Sequence, residues 1–156
     1  MALTKDSTRD EIRTAFTAAL RSGKYPQGKT TLHNRSYKSE LTGKEIPEGF
    51  CCLGVLCELA VEAGVIAAPF LLSESPSFVY GDEEQERAGL PRKVRKWSGI
   101  NSSLGDYTTP DGREAALAFD NDEGLTFDQI ADIIESNPDG LFAMEPVTEP
   151  VTEPAA

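Results

Sequence analysis

Apolar residues recur at helical spacing in the first part of the chain. Ile12, Ala15, Phe16, Ala19 and Leu20 fall at i, i+3, i+4, i+7 and i+8, one stripe of an amphipathic helix. Ser7 and Thr8 precede the stripe, with Asp10 and Glu11 three residues on, the spacing of a capping box. Gly23 follows it and accepts the left-handed conformation that ends a helix. Lys24-Tyr25-Pro26-Gln27-Gly28 then reads as a turn.

Residues 29–50 predict a hairpin. Thr30, Thr31 and Leu32 give a short strand signal, and 41–49 is rich in turn residues. The polar stretch between them reads as a mobile loop, with His33 a solvated loop histidine. From Phe50 to Ala63 the pattern changes. Nearly every position is apolar, and only Glu58 and Glu62 interrupt, on one face. A helix apolar on nearly every side is surrounded by other elements, so this segment predicts the central core helix, ended by Gly64. Gly54 inside it costs about 1 kcal/mol against alanine, which points to a close approach of another backbone.

Ser77 to Tyr80 reads as a strand before the acidic run Gly81 to Glu86. Leu90 to Trp97 predicts a short helix with Pro91 in its first turn and Leu90, Val94 and Trp97 on one face. Residues 101–113 read as loop, and Ala115 to Phe119 as a short strand or a turn of helix. Thr126 and Gln129 form a second capping box before Phe127, Ile130, Ala131, Ile133 and Ile134, and Asn137-Pro138-Asp139-Gly140 ends that helix. The remainder repeats a Glu-Pro-Val-Thr unit. Proline at every fourth position blocks helix and sheet ladders, and one valine per unit buries too little to offset ordering. The expected organisation is one globular domain over residues 1–143 and a disordered tail over 144–156. The expected class is α+β, with a few helices around a central apolar helix and a small antiparallel hairpin or sheet.

Charge narrows the partners. The net charge is −11, but residues 1–50 hold nine Lys/Arg against six Asp/Glu, while 51–156 hold six against twenty. Such acidity disfavours general nucleic-acid binding, which needs a broad positive field, so none is expected, but it leaves room for a local basic pocket. The longest apolar run, Phe50 to Ala60, falls short of the roughly 18 residues of a membrane span. No apolar leader is visible at the N-terminus, which points to the cytoplasm.

The candidate chemistry is sparse. Cys51, Cys52 and Cys57 fit neither a disulfide framework nor CxxC spacing, and read as small buried hydrophobes. Asp120 to Gly124 fails the calcium-loop template, since position 5 is Gly124 and position 12 is Ala131. No hydrolase motif accompanies His33, and no cofactor or metal is expected. The sharpest local feature is Arg92-Lys93-Val94-Arg95-Lys96-Trp97. On a helix, Arg92, Arg95 and Lys96 form a basic stripe beside an indole, a set that can grip phosphates and stack on a base. The competing reading keeps Trp97 in the core, with the charges on its solvated reverse face near Asp82 to Glu86. Arg21, Lys24, Tyr25 and Gln27 are the second set of candidate ligand contacts.

Four segments together carry a resemblance: Ala19-Leu-Arg-Ser-Gly-Lys-Tyr-Pro-Gln-Gly28, Phe50-Cys-Cys-Leu-Gly-Val-Leu-Cys-Glu-Leu-Ala60, Leu90-Pro with Trp97, and Phe119 to Glu135. They resemble a widespread group of small uncharacterised bacteriophage proteins. Where such proteins often place a basic residue after a leucine beyond the Gln-Gly turn, this chain has His33 after Leu32. The resemblance implies a phage origin and a place in the host cell cytoplasm. The function expected from it is that of a non-enzymatic accessory protein. It would act on the host by binding a host protein or sequestering an anionic nucleotide-type signal. The alternatives are a small enzyme with a dispersed site, such as His33 with Asp106 or Asp120, and a virion or assembly component.

Overall fold

The computed structural model describes residues 2–72, 74–81 and 85–143. The expected tail and the acidic residues 82–84 lie outside this range. The described residues form an α+β fold of five helices and four small antiparallel strand pairs.

Helix α1 (Arg9–Arg21) starts where the capping box predicts. The Glu11 N–H donates to Thr8 Oγ1 at 3.1 Å and the Thr8 N–H to Glu11 Oε1 at 2.8 Å. Gly23 follows the helix with φ of 77°. Ile12, Phe16 and Leu20 are buried, and they face helix α5 (Phe127–Glu135), which has its own Thr126–Gln129 capping box. Arg21 ties the two helices at their rim, donating to Asp132 at 2.8 Å and Glu135 at 2.7 Å.

Helix α2 (Cys52–Glu62) is the core element the apolar run predicts. Every residue from Cys52 to Cys57 is buried. It begins later than the run does, because Phe50 belongs to a strand and Cys51 is the N-cap. Helix α3 (Arg92–Ser98) and helix α4 (Leu117–Asp122) pack around α2.

The expected hairpin spans 33–50 in a single register, interrupted once. Strands β1 (His33–Asn34) and β4 (Gly49–Phe50) pair, as do β2 (Tyr37–Lys38) and β3 (Glu45–Ile46). The break falls opposite Pro47, which has no N–H to give a ladder. The Asn34 side chain closes the gap by donating to the Pro47 carbonyl at 3.0 Å, while the Arg35 N–H turns away to the Pro76 carbonyl at 2.9 Å. The polar stretch is therefore ladder, not loop, and His33 is buried within it at 7% exposure. Strand β5 (Phe70–Leu71) pairs with β6 (Phe78–Val79), and a bridge from Asn34 to Ser77 joins the hairpin to β6. Within the expected 101–113 loop lies a strand, β7 (Asp106–Thr108). It pairs with β8 (Glu114–Ala116), which runs straight into α4, so 115–119 is both strand and helix.

One buried side chain fastens the α4 end to the centre. Asn121 is fully buried. Its Oδ1 accepts from the Cys52 N–H at 3.2 Å and from Gln27 Nε2 at 2.9 Å, and its Nδ2 donates to the Gly28 carbonyl at 2.8 Å.

Candidate functional site

Lys93 and Lys96 of α3 and Lys5 of the N-terminal segment come together around Trp97. Pro91 is the N-cap of α3 rather than a residue of its first turn, and Val94 and Leu90 are buried beneath it. Trp97 is half-buried against the core, and its indole N–H donates to the Thr4 carbonyl at 3.0 Å. This bond lays the segment before α1 along α3 and brings Lys5 beside Lys96. Two adjoining hollows result. One, of about 480 Å³, is lined by Lys5, Ser7, Thr8, Arg9, Asp10, Lys96 and Trp97. The other, of about 300 Å³, is lined by Lys5, Val65, Lys93, Lys96 and Trp97. Lys93, Lys96 and Trp97 stand at i, i+3 and i+4 on α3, which puts them on one face.

Lys5, Lys93 and Lys96 form no ion pair among the described residues. Arg9 is held at the back of the larger hollow. It donates to the Ala143 carbonyl at 3.2 Å and lies against Gly99, where an added Cβ would come within 2.8 Å of its Cδ. The groove is cationic and aromatic, with Asp10 as the acid among its lining residues.

Of the residues singled out in the sequence, Lys96 and Trp97 line both hollows, while Arg92 and Arg95 line neither. The second set is elsewhere. Arg21 is engaged with Asp132 and Glu135. The Lys24 ammonium lies 5.4 Å from the Tyr25 ring centre, and Tyr25 meets Phe50 edge-on. Gln27 donates to Asn121 and to the Leu125 carbonyl. Sequence reasoning missed Lys5 and Lys93. Lys93 sits one residue from the stripe drawn on α3, and no signal places Lys5 beside it except the tertiary bond from Trp97 to Thr4.

A second polar cluster surrounds His33, against the expectation of a solvated ring. The imidazole is stacked between Phe50 (centroids 3.8 Å apart, planes at 13°) and Phe78 (4.2 Å, 17°). Nε2 lies 2.7 Å from Glu48 Oε2, and Nδ1 lies 3.2 Å from the Tyr80 hydroxyl. That hydroxyl donates to Glu58 Oε2 at 2.7 Å, and burial followed by the bond to Glu58 pushes the phenol well above its usual range. Neither Asp106 nor Asp120 is a partner of His33. The Tyr107 hydroxyl donates to Asp120 at 2.5 Å, and burial raises the Asp120 carboxyl. The dispersed pairs His33–Asp106 and His33–Asp120 are therefore not assembled.

The cysteines are buried free thiols, as their apolar setting predicts. Burial pushes the Cys51 thiol up to about 11 and holds Cys52 and Cys57 well above their ordinary value, so none is a ready thiolate. Among the described residues no group of three or more His, Cys, Asp or Glu side chains is arranged to hold a metal ion, and no helix is long and apolar enough to cross a membrane.

Residues 8–138 match the family described as domain of unknown function DUF8296, and the chain belongs to that family. Neither the curated proteins nor the solved structures contain a match to this chain.

Proposed function

We propose that this DUF8296 protein is a non-enzymatic accessory protein of phage origin that sequesters an anionic, nucleotide-type ligand in the Trp97 groove, in the cytoplasm of the host cell. The observation that carries the reading is the convergence of Lys5, Lys93 and Lys96 on one indole, none of them in an ion pair among the described residues and the groove's Asp10 paired with Arg13, in a protein of net charge −11. Each ammonium offers three donors for phosphate oxygens. An indole face stacks on a base with about 1–3 kcal/mol per base. The hollows are large enough for a nucleotide and too shallow to exclude water, which favours retention of a ligand over its conversion. The buried thiols and the unassembled His33–Asp pairs support a binding role over catalysis.

A thermal-shift screen of linear and cyclic nucleotides tests this. At one hundred times its Kd a ligand adds about 2.7 kcal/mol of stability. The expected result is stabilisation by at least one nucleotide, weakened by salt and lost in a Lys5→Glu, Lys96→Glu variant that still folds. Stabilisation by none of them, or stabilisation unaffected by that double change, overturns the reading. Recovery of the protein from purified virions would favour the assembly role instead.

A further inference from the structure

A chain of three hydrogen bonds runs from Glu48 through His33 and Tyr80 to Glu58. It joins the loop between β3 and β4, strand β1, the residue after β6, and helix α2. Each bond needs one hydrogen. Tyr80 has one, and it is committed to Glu58. A neutral imidazole has one more, and an ionised carboxylate has none. With a neutral ring, one nitrogen lone pair faces either the Glu48 carboxylate or the Tyr80 oxygen. The third bond therefore requires an additional proton.

A doubly protonated imidazole would present a donor at each nitrogen, one for Glu48 and one for Tyr80. Phe50 and Phe78 cover both of its faces, and the π faces of aromatic rings attract a cation. Glu48 is about half-exposed, and its 2.7 Å contact has the length of a charge-assisted bond. Among the described residues, the titratable groups that bear on Tyr80 and Cys57 are acidic. Glu58 and Cys57 come from α2, Cys51 from its N-cap, and Glu86 from the segment whose backbone bridges to Tyr80. Burial keeps the two thiols neutral.

We propose that His33 is a proton-controlled latch. With both ring nitrogens protonated, it fastens the 33–50 hairpin to β6 and α2. Loss of one proton turns a lone pair toward either Glu48 or Tyr80, and so loosens the hairpin either within itself, at Glu48, or at its seat on Tyr80. The device is independent of the Trp97 groove.

His33 is the sole histidine of the chain, so its ring signals identify themselves in a ¹⁵N NMR titration of the full-length protein. The titration spans the range in which imidazole changes charge, about pH 5 to 8. On the acidic side, both ring nitrogens are expected to carry protons. As one is lost, the amides of 33–38 and 45–50 shift with the same midpoint. Their hydrogen exchange, corrected for its intrinsic pH dependence, quickens by about tenfold, the worth of one charged hydrogen bond. His33→Phe keeps a ring in the stack and is expected to abolish this response, while Glu48→Gln weakens it. Hairpin amides indifferent to the charge of the ring overturn the proposal. So does an unchanged response in His33→Phe. If that variant does not fold, the wild-type titration alone decides.

Discussion

The carbonyl of Leu32 lies directly over the α-carbon of Gly54, so close that a Cβ at residue 54 would sit 1.8 Å from its oxygen. The same carbonyl accepts from the Cys51 N–H at 3.1 Å, satisfying a donor at the start of α2. Strand entry and core helix are thus seated on each other through backbone alone. Alanine favours an isolated helix over glycine by about 1 kcal/mol. Here the contact reverses the sign. Gly54→Ala is expected to cost about 3 kcal/mol or more, because the neighbour is backbone and cannot rotate away. Gly112→Ala is the control, with φ of 87° and open space around it, and is expected to cost about 1 kcal/mol. Urea unfolding of both variants checks the contrast, and similar costs would remove the argument.

Asn121 uses both ends of its amide, and nothing about its volume explains its place in the core. Asn121→Asp keeps the shape but removes the donor to the Gly28 carbonyl and brings a carboxylate into a fully buried site. The expected loss is about 2–3 kcal/mol. Gln27→Ala is expected to cost less, since its amide is exposed and Asn121 keeps its bond from Cys52. A double-mutant cycle between the two positions should show coupling. Strict additivity would mean that the clasp is not a unit.

Local rules made much of this fold legible. Both capping boxes form, because the Thr8–Glu11 and Thr126–Gln129 contacts depend on residues three apart. Gly54 announced a close approach because a glycine inside an apolar helix needs a reason. His33 was misread for the opposite cause. The residues that follow it in sequence are polar, and its burial is set by Phe50, Phe78 and Tyr80, which reach it only through sheet pairing. The candidate groove was half legible. Lys96 and Trp97 are neighbours on one helix, whereas Lys5 joins them through a single long-range bond. Local patterns carry no information about such a bond.

That bond from the Trp97 indole to the Thr4 carbonyl can be removed with little loss of apolar surface. Trp97→Phe is expected to cost about 1 kcal/mol in global stability. Its larger effect is local. The segment before α1 loses its tether to α3, so proteolytic cleavage there should quicken while the core stays protected. Limited proteolysis followed by mass spectrometry reads the site of first cleavage. An unchanged cleavage pattern would show that Lys5 is held near Lys96 by something other than this bond.

The buried thiols make stability depend on alkaline pH, and the sign follows from where the proton is held. An unfolded cysteine titrates near 9.0, while burial raises Cys51 to about 11 in the folded protein. Below about pH 9 both states keep the proton, and the thiol adds no pH dependence. Between about pH 9 and 11 the unfolded chain gives it up and the folded chain does not, so stability falls as pH rises. A difference of about two units corresponds to about 3 kcal/mol from Cys51. Cys52 and Cys57 act in the same direction, as does the raised Tyr80 phenol. Urea midpoints measured on both sides of this window should drop steeply in the wild type and less steeply in Cys51→Ala. The native thiols should also resist iodoacetamide at neutral pH and react at once when urea unfolds the chain. Rapid alkylation of the folded protein, or an identical pH slope in Cys51→Ala, would place that sulfur at the surface and reopen thiolate chemistry for α2.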